Sequence, residues 1–316
     1  MYGGMANNSE AYKIPQKHLI DNSYTPSHPN LQNALFGLLN IYKPAGITSH
    51  DVVAVLRKQT GIKQIGHTGT LDPFAEGVLP VCIGKATRLI EYFTDDKEYL
   101  ATVQFGSATT TYDIEGEITF ASENKINEQD ILQALKNFEG EIEQLPPIYS
   151  AIKVKGKKLY EYARKGEDVK IEPRKVFIEK IEMKNFNFET QQAEILIKCS
   201  KGTYIRSIAN DLGKNLNVGG HLIKLVRTQA GKCRIEDAVS LDNINIEKDL
   251  KNPLELIDLP IINATEEDLK NIKNGVAIKT SKKDMSSLVI LVYNDIEICA
   301  VGYADSGIIK LKKVFL

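Results

Sequence analysis

The sequence predicts an α+β protein: a mixed, largely antiparallel sheet flanked by helices, followed by a small β-rich C-terminal module. Three observations lead there. Runs of alternating polarity are interleaved with runs of helical period, without the strict strand–helix–strand alternation of a parallel fold. Three strand-like runs, 288–292, 297–303 and 308–314, stand together at the end with no helix between them. The length of 316 residues exceeds the usual single-domain size, so one large unit with a small one is the expected division.

The elements follow in order. Residues 1–35 are rich in Asn, Ser and Pro, lack periodicity, and are expected to form a flexible extension. GLLNIYK over 37–43 is a first strand, stopped by Pro44 and Gly46. Thr48 and Asp51 have capping-box spacing ahead of a helix carrying Val52, Val53, Val55 and Leu56, and Gly61 ends it. A loop is expected over 66–77, an apolar strand over 78–83 and a helix over 85–93. Residues 97–106 alternate as a strand. Asn127 caps a helix through Ile131, Leu132, Leu135 and Phe138, closed by Gly140. AEILIKCS over 193–200 is a strand, and Ile205, Ile208, Ala209, Leu212 and Leu216 then form one helical stripe. Arg206 falls about 100° off that stripe and is expected on a flank rather than in the core. A further strand covers 221–226. The large unit is placed at 36–258, the small one at 259–316, with an acidic link near 252–260.

Composition excludes several classes. The hydrophobic share of 42% and the charged share of 26% are those of an ordinary globular protein. No run of about 18 apolar residues predicts a membrane span, and no apolar leader predicts secretion. Cys82, Cys199, Cys233 and Cys299 are scattered, with no CxxC pair or histidine cluster, which points to reduced thiols in a cytoplasmic protein and against a metal site. The net charge of −1 hides an uneven distribution. Residues 196–234 hold eight Lys/Arg against one acid, and 153–174 hold eight against four, whereas 236–270 hold ten acids against three lysines. Basic stretches on one face would meet phosphate; solvated charge is the alternative.

The segment richest in chemistry is GHTGTLDPFAEGVLP, residues 66–80. His67, Thr68, Thr70 and Asp72 stand among three glycines and two prolines, and Pro73 biases Asp72 away from helical geometry. Such a constrained loop can hold a carboxylate in one position for catalysis, or Asp72-Pro73 can simply open a turn.

This segment resembles the catalytic motif of the TruB-type pseudouridine synthases, in which the aspartate of T-L-D-P is the nucleophile. Three more segments resemble the family in the same order: Lys43 to Ser49 (KPAGITS), Lys97-Glu98-Tyr99, and CSKGTYIR ending at Arg206. The likeness runs almost continuously from residue 36 to about 240. It implies the pseudouridine synthase fold with a thumb-like insertion at about 143–174, a PUA-like C-terminal module, and isomerisation of uridine 55 in the T-arm loop of transfer RNA. The chain is expected to act as a cytoplasmic monomer without a protein partner. The reaction breaks the N1–C1′ bond, turns the base and rejoins it through C5, so neither cofactor nor metal is required. Attack by Asp72 on C6 of the base and on C1′ of the ribose both remain open.

Site roles follow from the likeness residue by residue. Asp72, Tyr99 and Arg206 are the implied catalytic group. Arg206 would grip the carboxylate as a bidentate fork and lower its pKa, and Tyr99 would stack on the flipped base and offer a hydroxyl for proton transfer. Lys43, His67, Thr70, Tyr204 and Leu225 are the implied substrate-side residues. His67 would fill the stack that the base vacates, Lys43 would support the loop or meet phosphate, and Tyr204 and Leu225 would line the base pocket. Lys153, Lys157, Lys158 and Tyr160 in the insertion mix cations with a ring, a combination suited to RNA. Thr110 departs from the family, which often has an acid there, while Asp113 matches. Three rival functions stay open: a guide-RNA-dependent synthase of the dyskerin type, a tRNA-folding chaperone that needs binding but not Asp72, and a small-molecule enzyme whose basic stretches are only surface.

Overall fold

Strand β1 (Gly37–Lys43) is buried along almost its whole length, as its near-continuous apolar run requires of a strand covered on both faces. The computed structural model describes residues 35–94 and 96–316; the expected extension over 1–35 lies outside the described residues apart from Leu35. Helix α1 (Ser49–Thr60) begins at a complete capping box, Thr48 and Asp51 each accepting from the other's backbone N–H, and ends at Gly61 in the left-handed region. Its buried Val52, Val53 and Leu56 pack on Leu39, Ile41, Leu79 and Val81, each such side chain contributing about 1.5–3 kcal/mol.

Strands β2 (Ile65–His67) and β3 (Glu76–Ile83) shorten the expected 66–77 loop from both ends, with His67 paired to Val81. The segment expected to be helical over 85–93 is a 3₁₀ turn, Gly84–Tyr92, whose buried Ala86 and Leu89 are three residues apart and therefore on one face. Strand β4 (Lys97–Phe105) is followed by a small hairpin, β5 (Ser107–Thr109) and β6 (Ile118–Ala121). Helix α2 (Glu128–Leu135) starts at the Asn127 cap, and β7 (Gly140–Gln144) follows it. A two-residue-by-two-residue hairpin, β8 (Lys153–Val154) and β9 (Lys157–Lys158), leads into α3 (Leu159–Lys165). The chain returns through β10 (Arg174–Asn187), β11 (Gln192–Cys199), α4 (Ile205–Asn215) and β12 (Gly220–Ala230), then the short β13 (Cys233–Arg234), β14 (Val239–Ser240) and α5 (Ile246–Asp249).

These strands build one sheet in the order β14-β1-β3-β12-β4-β11-β10-β7, with β2 on β3 and β13 on β12. Only the β1–β14 and β3–β12 contacts are parallel, so the sheet is mixed and largely antiparallel. Helix α4 lies over β12 and β4, where Ile208, Ala209 and Leu212 meet Ala101, Val103 and Leu222. The parallel meeting of β3 and β12 positions the site, because β3 leads directly out of the loop that carries Asp72. Gly77 is obligatory there: its φ is +107°, and a Cβ would lie 2.3 Å from the Arg227 carbonyl oxygen.

The C-terminal module is a five-stranded sheet in the order β15-β17-β18-β19-β16. It comprises β15 (Ile261–Asn263), α6 (Glu266–Lys273), β16 (Ile278–Lys279), β17 (Ser287–Tyr293), β18 (Glu297–Asp305) and β19 (Ile308–Val314). The short edge strands β15 and β16 were not expected from the sequence, since two or three residues carry no periodicity. The module docks on the 3₁₀ turn through Leu89, Ile290, Val301 and Phe315. Lys85 and Arg88 donate to the Phe315 and Val314 carbonyls at 2.8 and 2.6 Å. Among the described residues no helix is long and apolar enough to cross a membrane.

Candidate active site

The loop over 68–75 is held almost entirely through its backbone. Ser49, at the start of α1, accepts from Leu71 N–H at 2.8 Å and donates to the Leu71 carbonyl at 3.1 Å. Gly46 N–H donates to the Pro73 carbonyl at 2.8 Å, and Thr68 N–H to the Pro80 carbonyl at 3.0 Å. Lys43 is fully buried and donates from Nζ to the Pro44, Ile47 and Pro73 carbonyls at 2.9, 2.7 and 3.3 Å. Burial pushes its pKa down to about 8, against the pull of Asp72. Of the two roles expected for Lys43, loop support matches this geometry; contact with a phosphate does not, because no part of the side chain reaches solvent.

The turn so fixed presents Asp72 to Arg206. Arg206 Nε lies 2.9 Å from Asp72 Oδ2, and Nη2 donates to Oδ1 at 3.3 Å. The Nε–H is not aligned as a hydrogen bond, so the contact has two points without being the parallel fork expected from the sequence. The same guanidinium donates to Asp113 Oδ2 at 3.3 Å, to the Thr111 carbonyl at 3.3 Å and to the Tyr149 carbonyl at 3.0 Å. Arg206 is therefore buried, with its side chain 6% exposed, which corrects the expectation of an off-core flank: the turn at 111–113 and the chain at 149 close over that flank. Asp113 is itself buried and anchored by the Thr111 hydroxyl at 2.5 Å and by Glu115 N–H at 3.0 Å.

The start of α4 is clamped as well. Gln144, at the end of β7, donates to the Tyr204 carbonyl at 3.0 Å and accepts from Tyr204 N–H at 2.7 Å, and Ser207 Oγ donates to the Leu145 carbonyl at 2.8 Å. Tyr204 is half-buried, and burial raises the pKa of its hydroxyl. Tyr99 is 7% exposed on β4 and shares an apolar cluster with Leu71 and Leu225. Burial raises its pKa, while the positive charge of the neighbouring Arg227 pulls the other way. His67 lies at the end of β2 rather than in a loop, its pKa is lowered by burial, and its Nδ1 has no hydrogen-bond partner. The Thr70 side chain is exposed. Lys153, Lys157, Lys158 and Tyr160 stand apart from this group, on the β8–β9 hairpin and the first turn of α3.

The electrostatics correct one expectation. Asp72 has its pKa raised, not lowered: burial in the recess and the negative charge of Asp113 outweigh Arg206 and Lys43. The carboxylate still keeps a third of its surface at the mouth of the recess.

A family model described as the TruB family pseudouridylate synthase N-terminal domain matches residues 57–205. tRNA pseudouridine synthase B of Caldanaerobacter subterraneus is 44% identical over 88% of this chain and 99% of that protein. The protein of the same name from Staphylococcus haemolyticus is 46% identical over 80% and 88%. The chain belongs to the TruB family. Among solved structures, a Cbf5-Nop10-Gar1 complex contains a chain that superposes on this TruB-family chain with a TM-score of 0.68 at 27% identity, covering 92% of this chain and 88% of that one. That likeness extends over the pseudouridine synthase fold and the C-terminal sheet.

Two groups at this site were not assigned a role from the sequence of the TruB-family chain. Asp113 was noted only as a motif match, although its place in a TYDIEG turn gives it a local backbone-capping signal. Arg227 lies one residue beyond the expected strand end; β12 in fact runs to Ala230, which puts this charge on an inward position. One pH prediction follows from Asp113. If ionised Asp72 is the reactive form, rate falls as pH drops through a pKa above the ordinary carboxylate value. Asp113→Asn removes a negative charge, favours ionised Asp72, and should move that acid limb to lower pH. Loss of the Arg206 anchor should also lower the plateau about tenfold. Single-turnover rates measured against pH check both effects; an acid limb that stays in place refutes the electrostatic assignment.

Proposed function

We propose that the chain is a tRNA pseudouridine synthase that isomerises uridine 55 in the T-arm loop, with Asp72 as nucleophile. The observation that carries this reading is a carboxylate one-third exposed, aimed by a buried arginine that is itself held by Asp113 and two carbonyls. Such a group is fixed before substrate arrives, as a nucleophile must be. Arg206 opposes the cost of burying the Asp72 charge, and Asp113 and Tyr149 keep Arg206 in place. A stacked uridine has to leave the RNA loop to reach this recess, at a cost of a few kcal/mol. Tyr99 and Leu225 form the apolar wall against which the base packs, with Tyr204 at the rim, and His67 takes the vacated place in the stack.

Chemistry then proceeds without net gain or loss of atoms. Asp72 attacks C6 or C1′, the N1–C1′ bond breaks, the base turns, C1′ joins C5, and cleavage of the bond to Asp72 frees the carboxylate. The proton lost from C5 is balanced by one gained at N1, and the Tyr99 hydroxyl is the candidate to carry it. The name shared by relatives at 44% and 46% identity supports tRNA as substrate over a guide-dependent assembly, since the chain of the Cbf5-Nop10-Gar1 complex is only 27% identical. Incubating the protein with an unmodified tRNA transcript, then mapping pseudouridine chemically, tests the reading. A product at position 55 supports it, and an unmodified transcript rejects it.

We further read residues at about 143–174 as a thumb that closes on the T-loop, with the large unit at 36–258 and an RNA-binding, PUA-like module at 259–316. Lys158 and Arg164 lie over the Tyr160 ring at 5.4 Å each, and Lys157 over Tyr162 at 5.6 Å, so cations and rings share one surface. Reversing Lys157 and Lys158 to glutamate should weaken tRNA binding and flatten its log–log salt dependence by about one unit per lysine. Binding isotherms across a salt series measure this; an unchanged slope takes the thumb out of the interface.

A further inference from the structure

Arg227 is the largest fully buried side chain of the described residues, with 0% exposure. A buried guanidinium normally sits against a carboxylate, since an uncompensated charge inside a protein costs several kcal/mol. Here, among the described residues, no acid pairs with it. Its three hydrogen bonds go to backbone carbonyls instead: Nε to Val78 at 2.6 Å, Nη1 to Thr70 at 3.3 Å and Nη2 to Gly69 at 3.1 Å. Two of these acceptors belong to the loop that ends in Asp72, and the third opens the buried run of β3. On the backbone, Arg227 is opposite Gly77 of β3 on one side and opposite Tyr99 of β4 on the other. Gly77 lets β12 come this close, and a side chain there would collide with Arg227's own carbonyl.

We propose that Arg227 is a positioning residue that ties the Asp72 loop to strand β12 and holds the Tyr99 hydroxyl against a fixed cation. A guanidinium has five N–H donors, so three bonds to carbonyls leave two for the Tyr99 side. One planar group thereby sets the distance between nucleophile and tyrosine, which otherwise belong to different strands. Its charge also opposes the effect of burial on the Tyr99 hydroxyl, which keeps that hydroxyl able to give up and regain a proton. Arg227 itself exchanges no proton. A buried cation kept without an acid partner is costly for packing alone, and a leucine or methionine would fill the volume without that cost.

The inference rests on the proposed chemistry for Tyr99, and its test separates the two. Arg227→Lys keeps charge and loses the fork; Arg227→Gln keeps hydrogen bonding and loses charge. In protein free of RNA, labelled with ¹³C at tyrosine Cζ and with the Tyr99 signal assigned by Tyr99→Phe, both variants should shift that resonance. Single-turnover rates on a T-arm stem-loop should fall about 100-fold for both, as displaced reacting groups do, with RNA affinity within about threefold. The alkaline limb of the rate profile should move to higher pH for Arg227→Gln and stay in place for Arg227→Lys. An unmoved Tyr99 resonance in a folded Arg227→Lys protein overturns the proposal. If Arg227→Gln fails to fold, Arg227→Lys and its spectrum still decide the matter. Shifted resonances in the variants, together with a wild-type protein that makes no pseudouridine, would instead overturn the proposed function and leave the Arg227–Tyr99 link standing.

Discussion

Asp72→Asn is expected to abolish pseudouridine formation, by about 10⁴-fold or more, while tRNA affinity stays within about tenfold. Asparagine has the same shape but cannot attack carbon at a useful rate, so the loss falls on chemistry. The surrounding turn should persist because its anchors are backbone groups: Leu71 on Ser49, Pro73 on Gly46 and Lys43, Gly69 and Thr70 on Arg227. Arg206 keeps Asp113, Thr111 and Tyr149 as partners, so the recess should not collapse. Phosphate contacts dominate RNA affinity, and an anionic carboxylate does not make them. Single-turnover assays on an unmodified transcript and filter binding measure the two quantities. Residual turnover within about tenfold of wild type would remove Asp72 from the nucleophile's role.

Arg206→Lys is expected to lower the rate about 10²- to 10³-fold, with a smaller effect on affinity. The guanidinium reaches five oxygen atoms: both carboxylate oxygens of Asp72, one of Asp113, and the carbonyls of Thr111 and Tyr149. An ammonium has three donors at one point and cannot span these positions. Asp72 would lose its closest counter-charge, and burial and Asp113 already raise its pKa. Its pKa should therefore rise further, and the acid limb should move to higher pH, opposite to the shift expected for Asp113→Asn. Rates within about threefold of wild type across the pH range would mean that point charge suffices and geometry does not matter.

The Tyr149 contact also joins the proposed thumb to the Asp72–Arg206 pair. Gln144, Leu145 and Tyr149 all bond to the segment from Tyr204 to Ser207, so the root of that thumb and the start of α4 are one hydrogen-bonded unit. A thumb that moved on binding RNA would pivot beyond Tyr149, leaving Arg206 undisturbed.

Local chemistry was legible in the sequence. Thr48 with Asp51, Asn127, and Gly61 marked helix ends because capping depends on residues within one turn of each other. The alternation of AEILIKCS marked β11, which is buried on one face. The 14-residue β10 escaped the reading because it lies near the sheet edge, alternates poorly, and carries two register shifts against β11. The loop over 68–75 was recognisable as rigid from Gly and Pro alone, and its likeness to a family motif singled out Asp72.

What the sequence by itself determined was therefore the capped helices, the clearly alternating strands and the choice of Asp72 as candidate nucleophile, all written in neighbouring residues. The tertiary structure decided its electrostatic state. Arg206 meets Asp72 across 134 residues of chain and Asp113 across 93, and Arg227 meets Val78 across 149. Whether Asp72 gains or loses protons more easily depends on the sum of burial and several charges at distances that no local pattern encodes. The same holds for Arg227: only the folded sheet brings β3, β4 and β12 side by side, and only there does one buried cation bond the loop of Asp72 and stand opposite Tyr99.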